Sequence, residues 1–228
     1  GGRRIIQTMA DNRDFSGNFN GNTINQNGAE GVNFAPGLNT QIVANFTNNT
    51  INGNTSHGID IPLQAGGRFT SDNFYGNIIG TAASRNGGMG VNLVVPNNAQ
   101  FNWTLGDSAV AANSIGGNTD AGVGIRMSGN ATGTLTVQNS TVSGNQGTGG
   151  FGGPSGGSAG QSIGGGLANS NSATIQNTTF ADNASLQGVG IYNAGTWNLV
   201  NSLLVSQTAN PDCVNAGSPA TIAKNNLS

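Results

Sequence analysis

The chain has 228 residues, of which only 7% are charged, and seven Lys and Arg against nine Asp and Glu leave a formal net charge of −2. That balance argues against a protein that neutralises a phosphate backbone or an anionic membrane surface. No run approaches the roughly 18–20 apolar residues of a membrane span, and the chain reads as a mature or excised piece with no charged-then-apolar leader. Thirty-nine glycines and abundant Asn, Thr and Ser would suit disorder. The low net charge and the clustered β-branched and aromatic residues point instead to many short strands.

In chain order, the predicted strands come from two recurring motifs. Phe19, Gly21, Ile24 and Asn27 open the first: an apolar residue, Asn or Gly two positions on, a second apolar residue at five and Asn at eight. Gly31-Val32-Asn33-Phe34 opens the second, a glycine followed by period-two alternation, which means a strand. Phe46, Asn48, Ile51 and Asn54 repeat the first motif, and Gly58-Ile59-Asp60-Ile61, Gly90-Val91-Asn92-Leu93 and Gly122-Val123-Gly124-Ile125 repeat the second. Leu135 to Asn145 and Ala173 to Asn183 are further copies of the first, aligned residue by residue, and Leu199, Asn201, Leu204 and Gln207 form a weaker one. Gly164-Gly165-Gly166-Leu167 and Gly188-Val189-Gly190-Ile191 complete the second set. Residues 146–162, rich in Gly and containing Pro154, read as a loop inserted between strands, and Ala220-Thr221-Ile222-Ala223 as a partial coil.

A repeat of two or three short strands cannot bury its apolar face alone and must stack on a like neighbour. The expected fold is an all-β, right-handed parallel β-helix of about seven or eight coils, one domain over residues 1–228, with coils about 4.8 Å apart. The predicted core columns are Phe19, Phe46, Val137, Ile175 and Leu199 on one sheet, and Phe34, Ile61, Leu93, Ile125, Leu167 and Ile191 on another. Asn48, Asn139, Asn177 and Asn201 are expected to stack as an amide ladder at one turn, because Asn tolerates a left-handed backbone and its amide hydrogen-bonds well. Cys213 is the only cysteine, so it forms no internal disulfide and reads as a buried inert thiol.

The residues from about Gly122 onward resemble bacterial cell-surface β-helix repeat proteins that carry variable C-terminal anchors. Gly164-Gly165-Gly166-Leu167 with Phe180-Ala181-Asp182-Asn183 is similar to the Gly-Gly-aliphatic and Phe-x-x-Asn pair of polymorphic outer-membrane proteins, which are autotransported adhesins. Asn201 to Val205, Pro211 to Cys213 and Asn225 to Leu227 look like the closing segment of the anchored group. In the first half, Gly76 to Thr81 and Asn86 to Val91 look like the long-coil repeat of large secreted β-helix proteins. The resemblance implies export and surface display.

Some parallel β-helices are pectin-acting lyases and hydrolases, so the outward positions matter. Beside one sheet they are expected to read Asn33, Asp60, Asn92, Gly124, Gly166 and Gly190, then Ala35, Pro62, Val94, Arg126, Ala168 and Tyr192. Asp60 and Arg126 would lie two coils apart, roughly 10 Å, with no second carboxylate for paired acid–base work. His57, the sole histidine, invites a relay of Ser56, His57 and Asp60, but neighbours along a turn seldom converge as a triad requires. No His or Cys cluster or calcium-loop spacing implies a metal or other cofactor. An ice-binding face would need a regular Thr array, and the outward ladder Asn18, Asn45, Thr136, Thr174 and Asn198 lacks that regularity. A polar face with Tyr75, Tyr192 or Trp197 could hold a glycan by hydrogen bonds and ring stacking, with Asp60, Arg126, Tyr192 and Trp197 as candidate ligand residues. The expected function is thus a non-enzymatic extracellular structural or adhesive module of a bacterial surface protein or fibre. The alternative is a carbohydrate-active or glycan-binding β-helix. Its expected partners are glycans or further copies of itself stacked head to tail through unpaired end coils.

Overall fold

The computed structural model describes residues 3–107, 109–147, 165–169, 172–185, 188–205, 209–216 and 221–222. The Gly-rich insertion expected at 146–162 lies outside the described residues apart from Gln146 and Gly147. Among the described residues every strand pairing is parallel, and the strands build three sheets in which each coil lies beside the one before it. The architecture is the parallel β-helix expected from the repeat.

The first sheet runs through Ile5–Thr8, Val32–Ala35, Ile59–Pro62, Val91–Val95, Val123–Met127, Leu167–Asn169, Ile191–Asn193 and Cys213–Asn215. The second runs through Phe15–Asn20, Gln41–Thr47, Arg68–Ser71, Gln100–Leu105, Thr132–Gln138, Ser172–Gln176, Thr196–Val200 and Thr221–Ile222. The third runs from Thr23–Asn25 through Thr50–Asn52, Ile78–Ile79, Asn113–Gly116, Ser140–Ser143 and Thr179–Ala181 to Leu203–Val205. Among the described residues, seven coils contribute a strand to each sheet, and an eighth contributes to the first two.

Alternation sends one side of each strand into a shared interior. Ile59, Val91, Val123, Leu167 and Ile191 form one buried column of the first sheet, and Phe34, Ile61, Leu93 and Ile125 the next. This corrects the expected column, in which Leu167 and Ile191 continued from Ile125. They continue from Val123 instead, because Gly166 and Gly190, not Gly164 and Gly188, occupy the glycine column. The outward column of Asp60 accordingly continues through Asn92 and Gly124 to Ala168 and Tyr192, rather than to Gly166 and Gly190. One pleat further on, Asn169 and Asn193 replace the aliphatics, and Asn169 Nδ2 donates to Asn193 Oδ1 at 2.6 Å.

On the second sheet, Phe46 stacks on Phe19 with centroids 4.7 Å apart and an interplanar angle of 13°. Phe74 continues the column 5.3 Å from Phe46 and meets Trp103 edge-on at 5.3 Å. Phe74 reaches that column because one extra residue is accommodated after Thr70. Phe69 and Thr70 pair with Ile42 and Val43, whereas Phe74 and Tyr75 pair with Phe46 and Thr47. The bulge keeps Phe74 inside and turns Tyr75 outward.

The corners are built from asparagine. Asn48, Asn139, Asn177 and Asn201 have φ between 44° and 55°, the left-handed conformation expected of them. The amide ladder, however, runs one residue later and inside the coil. Asn22 Nδ2 donates to Asn49 Oδ1 at 2.9 Å, Asn49 Nδ2 to Asn77 Oδ1 at 2.9 Å, and Asn77 Nδ2 to Asn113 Oδ1 at 3.0 Å. Asn113 Nδ2 then reaches Ser140 Oγ at 3.3 Å. The correction has a steric cause: a left-handed residue turns the chain so that the side chain after it points inward.

A second ladder follows the third sheet through Asn27, Asn54, Asn86, Asn118, Asn145 and Asn183, with amide contacts of 2.8–3.0 Å. These amides are buried, and from Asn54 onward each also donates to a main-chain carbonyl of the preceding coil's third-sheet segment. Burial without such partners would cost about 1–3 kcal/mol per group. The glycines Gly31, Gly58, Gly90, Gly122 and Gly166 pack against this ladder. A Cβ on Gly90 would stand 2.6 Å from the Gly122 carbonyl oxygen, 2.8 Å from Asn118 Nδ2 and 2.9 Å from Ile115 Cγ2.

Candidate functional site

The outer face of the first sheet carries the titratable groups that the sequence singles out. Asp60 stands between two asparagines of neighbouring coils, so its Oδ2 accepts from Asn33 Nδ2 at 3.2 Å and its Oδ1 from Asn92 Nδ2 at 2.7 Å. Burial raises the Asp60 pKa, against the lowering effects of the Asn92 bond, His57 and Arg126, and the net direction is upward. Asn92 is itself 4% exposed, and its Oδ1 has no hydrogen-bond partner. Arg126 lies two coils from Asp60 and one pleat along the strand, on the column of Pro62 and Val94. The two charges interact through space, but no hydrogen bond between them is present among the described residues.

His57 is fixed from the next coil: its Nδ1 accepts the backbone N–H of Met89 at 2.9 Å. An N–H donor on Nδ1 requires a lone pair there, so the neutral ring carries its proton on Nε2. Burial lowers the His57 pKa, and Arg126 acts in the same direction, while Asp60, Asp120 and Glu30 oppose them. The Glu30 carboxylate pairs with Arg4, and Ser56 acts on its titration in the same direction as Arg4. Burial would raise the Glu30 pKa, but its own backbone N–H, Arg4 and Ser56 outweigh that and hold it below the usual value. Ser56, His57 and Asp60 are therefore near one another along the turn without forming a relay. The histidine nitrogen that would serve as base instead accepts from the Met89 backbone N–H.

The two aromatic candidates separate. Tyr192 lies outward in the Asp60 column, three coils beyond Asn92, and packs on Ala168 beside Met89 and Ala121. Trp197 points inward on the second sheet, 7% exposed, in the column of Leu135 and Ala173, and its Nε1 has no hydrogen-bond partner. Its ring is part of the core rather than an outer stacking surface. Asp60, Arg126, Tyr192 and Trp197 are thus not brought together. Among the described residues no group of three or more His, Cys, Asp or Glu is placed to hold a metal ion.

Sequence reasoning gave less weight to the outer face of the second sheet. There Asn18 lies beside Asn45, Asn102 beside Thr134, and Thr104 beside Thr136, Thr174 and Asn198. Tyr75 projects on the same face beside Thr47. Amides bridge coils here too, Asn45 Nδ2 to Asn18 Oδ1 at 2.9 Å and Gln176 Nε2 to Gln138 Oε1 at 2.6 Å. Among the outward residues of these described strands only Arg68 is charged.

A hollow of about 300 Å³ lies at the far edge of the third sheet, lined by Thr81, Ser114, Ser143 and Asp182 over a floor of glycines. Its wall is the longer turn after Gly80, closed by reciprocal backbone bonds between Thr81 and Ser84 at 3.1 and 3.2 Å. Gly80, Gly117 and Gly144 sit at φ of 64–73°, so the bare floor follows from the turn geometry. No protein-family model, curated protein or solved structure matches the chain.

Proposed function

We propose that this chain is a non-enzymatic structural and adhesive segment of a bacterial surface protein or fibre, working outside the cell. The observation that supports this reading most directly is the use made of its polar side chains. The buried asparagines, which in a catalytic β-helix could serve a site, are bonded to one another and to the backbone from coil to coil. The same holds for the candidate acid and base, since Asp60 is clasped by two amides and His57 by a main-chain N–H. Such a chain converts sequence length into a rigid, extended surface, which suits display and adhesion. Export and surface display rest on the resemblance of the Gly-Gly-aliphatic and Phe-x-x-Asn motifs.

Two measurements test the reading. Reducing-end release from a panel of plant and bacterial polysaccharides is expected to stay at background for wild type; release lost in Asp60→Ala or Arg126→Ala would overturn the non-enzymatic half. Beads coated with the protein are expected to be retained under flow on at least one of polysaccharide-, protein- or lipid-coated surfaces. Retention on none would overturn the adhesive half.

A further inference from the structure

We infer that the outer face of the second sheet is a docking surface for an uncharged polysaccharide. The inference rests on the adhesive reading and names its partner chemistry. Three features of the face select that partner. Most of its outward residues are hydroxyls and carboxamides, such as Asn45, Thr70, Asn102, Thr104 and Thr136, groups that can donate to or accept from sugar hydroxyls, with Val43 and Val200 among them. They repeat at the coil spacing of about 4.8 Å along the axis and at about 6.7 Å along each strand, which gives a flat grid rather than a pocket.

The face also carries little charge: among its described strand residues only Arg68 is charged, with exposed Asp72 in the bulge opposing it, whereas Asp60 and Arg126 belong to the first sheet. An acidic polymer would find no cationic array here and a basic one no array of carboxylates, so charge complementarity favours a neutral chain. The third feature is Tyr75, which the bulge after Thr70 turns outward onto this face. A partly exposed phenol ring beside hydroxyls and amides supplies the apolar plane on which a pyranose ring stacks, together with the polar groups that orient it.

The test is depletion of the protein from solution by microcrystalline cellulose and by chitin beads, two neutral polymers, with a polygalacturonate gel as the anionic comparison. Wild type is expected to bind at least one neutral polymer. Tyr75→Ala, Thr104→Asp and Thr136→Asp, the two aspartates introduced one at a time because the positions are direct neighbours, should each bind at least tenfold more weakly while unfolding near the wild-type temperature. Thr141→Asp, an exposed position on the third sheet, should bind as wild type does. Equal binding by all variants would overturn the assignment of this face and leave the adhesive reading standing. Binding to polygalacturonate alone, or to none of the three, would overturn the partner chemistry. Thermal hysteresis in ice growth without polysaccharide binding would do the same and assign the face to ice.

Discussion

Asn54 and Asn86 are joined twice: Asn86 Oδ1 accepts both the side-chain Nδ2 of Asn54, at 2.9 Å, and its backbone N–H, at 3.2 Å. A single carboxamide oxygen therefore satisfies two buried donors of the neighbouring coil. The same double bond joins Asn49 to Asn77 at the other corner, at 2.9 and 3.1 Å. The left-handed residue that precedes ladder positions such as Asn49, Asn54 and Asn77 has a different task, which makes adjacent residues separable by mutation.

Asn48→Gly is expected to cost less than about 1 kcal/mol, because glycine adopts the left-handed backbone as readily as asparagine does. Asn49→Gly, one residue on, should cost about 3 kcal/mol or more, since it orphans buried groups of two coils and adds chain entropy. Urea unfolding of the two variants checks the contrast, and equal losses would remove the distinction between corner and ladder.

The glycine column gives a second contrast. Gly90→Ala places a Cβ against the Gly122 carbonyl and the Asn118 amide and should destabilise by several kcal/mol, or about as much as a strongly overpacked core. Gly28→Ala meets nothing within 4 Å and should be neutral or stabilise by up to about 1 kcal/mol through the unfolded state. Thermal melts of both variants decide it.

His57 and Asp60 make opposite contributions to the pH dependence of stability. The folded His57 pKa lies below its ordinary 6.5, so in that interval the unfolded chain binds more protons, and stability falls as pH drops below about 6.5. The folded Asp60 pKa lies above its ordinary 3.8, so the folded chain binds more protons there, and stability falls as pH rises from 3.8 through the folded value. His57→Gln keeps an acceptor for the Met89 N–H and should flatten the acid limb. Asp60→Asn should be more stable than wild type at neutral pH, the difference vanishing near pH 3.8. Urea midpoints across pH 3.5–8 test both slopes.

Cys213 extends the column of Ile191 and is half-buried, and burial together with Asp212 pushes its thiol up to about 11. Only the thiolate reacts, so alkylation by iodoacetamide at pH 8 should be at least tenfold slower than for an unfolded control and should accelerate as pH approaches 11. A rate equal to that of the unfolded chain would contradict the placement.

The coil architecture is legible in the sequence because Phe19 to Asn27, Phe46 to Asn54 and Val137 to Asn145 repeat one spacing, and only stacked coils make such a spacing useful. The ladder is less legible: Asn48 and Asn49 are identical side chains, and only the sign of φ separates corner from ladder. The register after residue 162 is ambiguous among consecutive glycines until packing selects one. A Cβ on Gly166 would meet Gly190 O at 2.5 Å and Phe180 Cδ1 at 2.7 Å. Trp197 carried a usable signal, since strict alternation with outward Asn198 and inward Leu199 places it inside. The outward turn of Tyr75 carried little, because it depends on the extra residue between Thr70 and Phe74.

The interior carboxamides of both corners share one sense, each Nδ2 directed at the oxygen of the coil that follows. Their dipoles therefore add along the axis rather than cancel, and the rod has an electrical head and tail. Each rung also offers its predecessor the acceptor that it fills in its successor. A gene that duplicates one coil thereby lengthens the molecule by a step of about 4.8 Å without inventing a new joint.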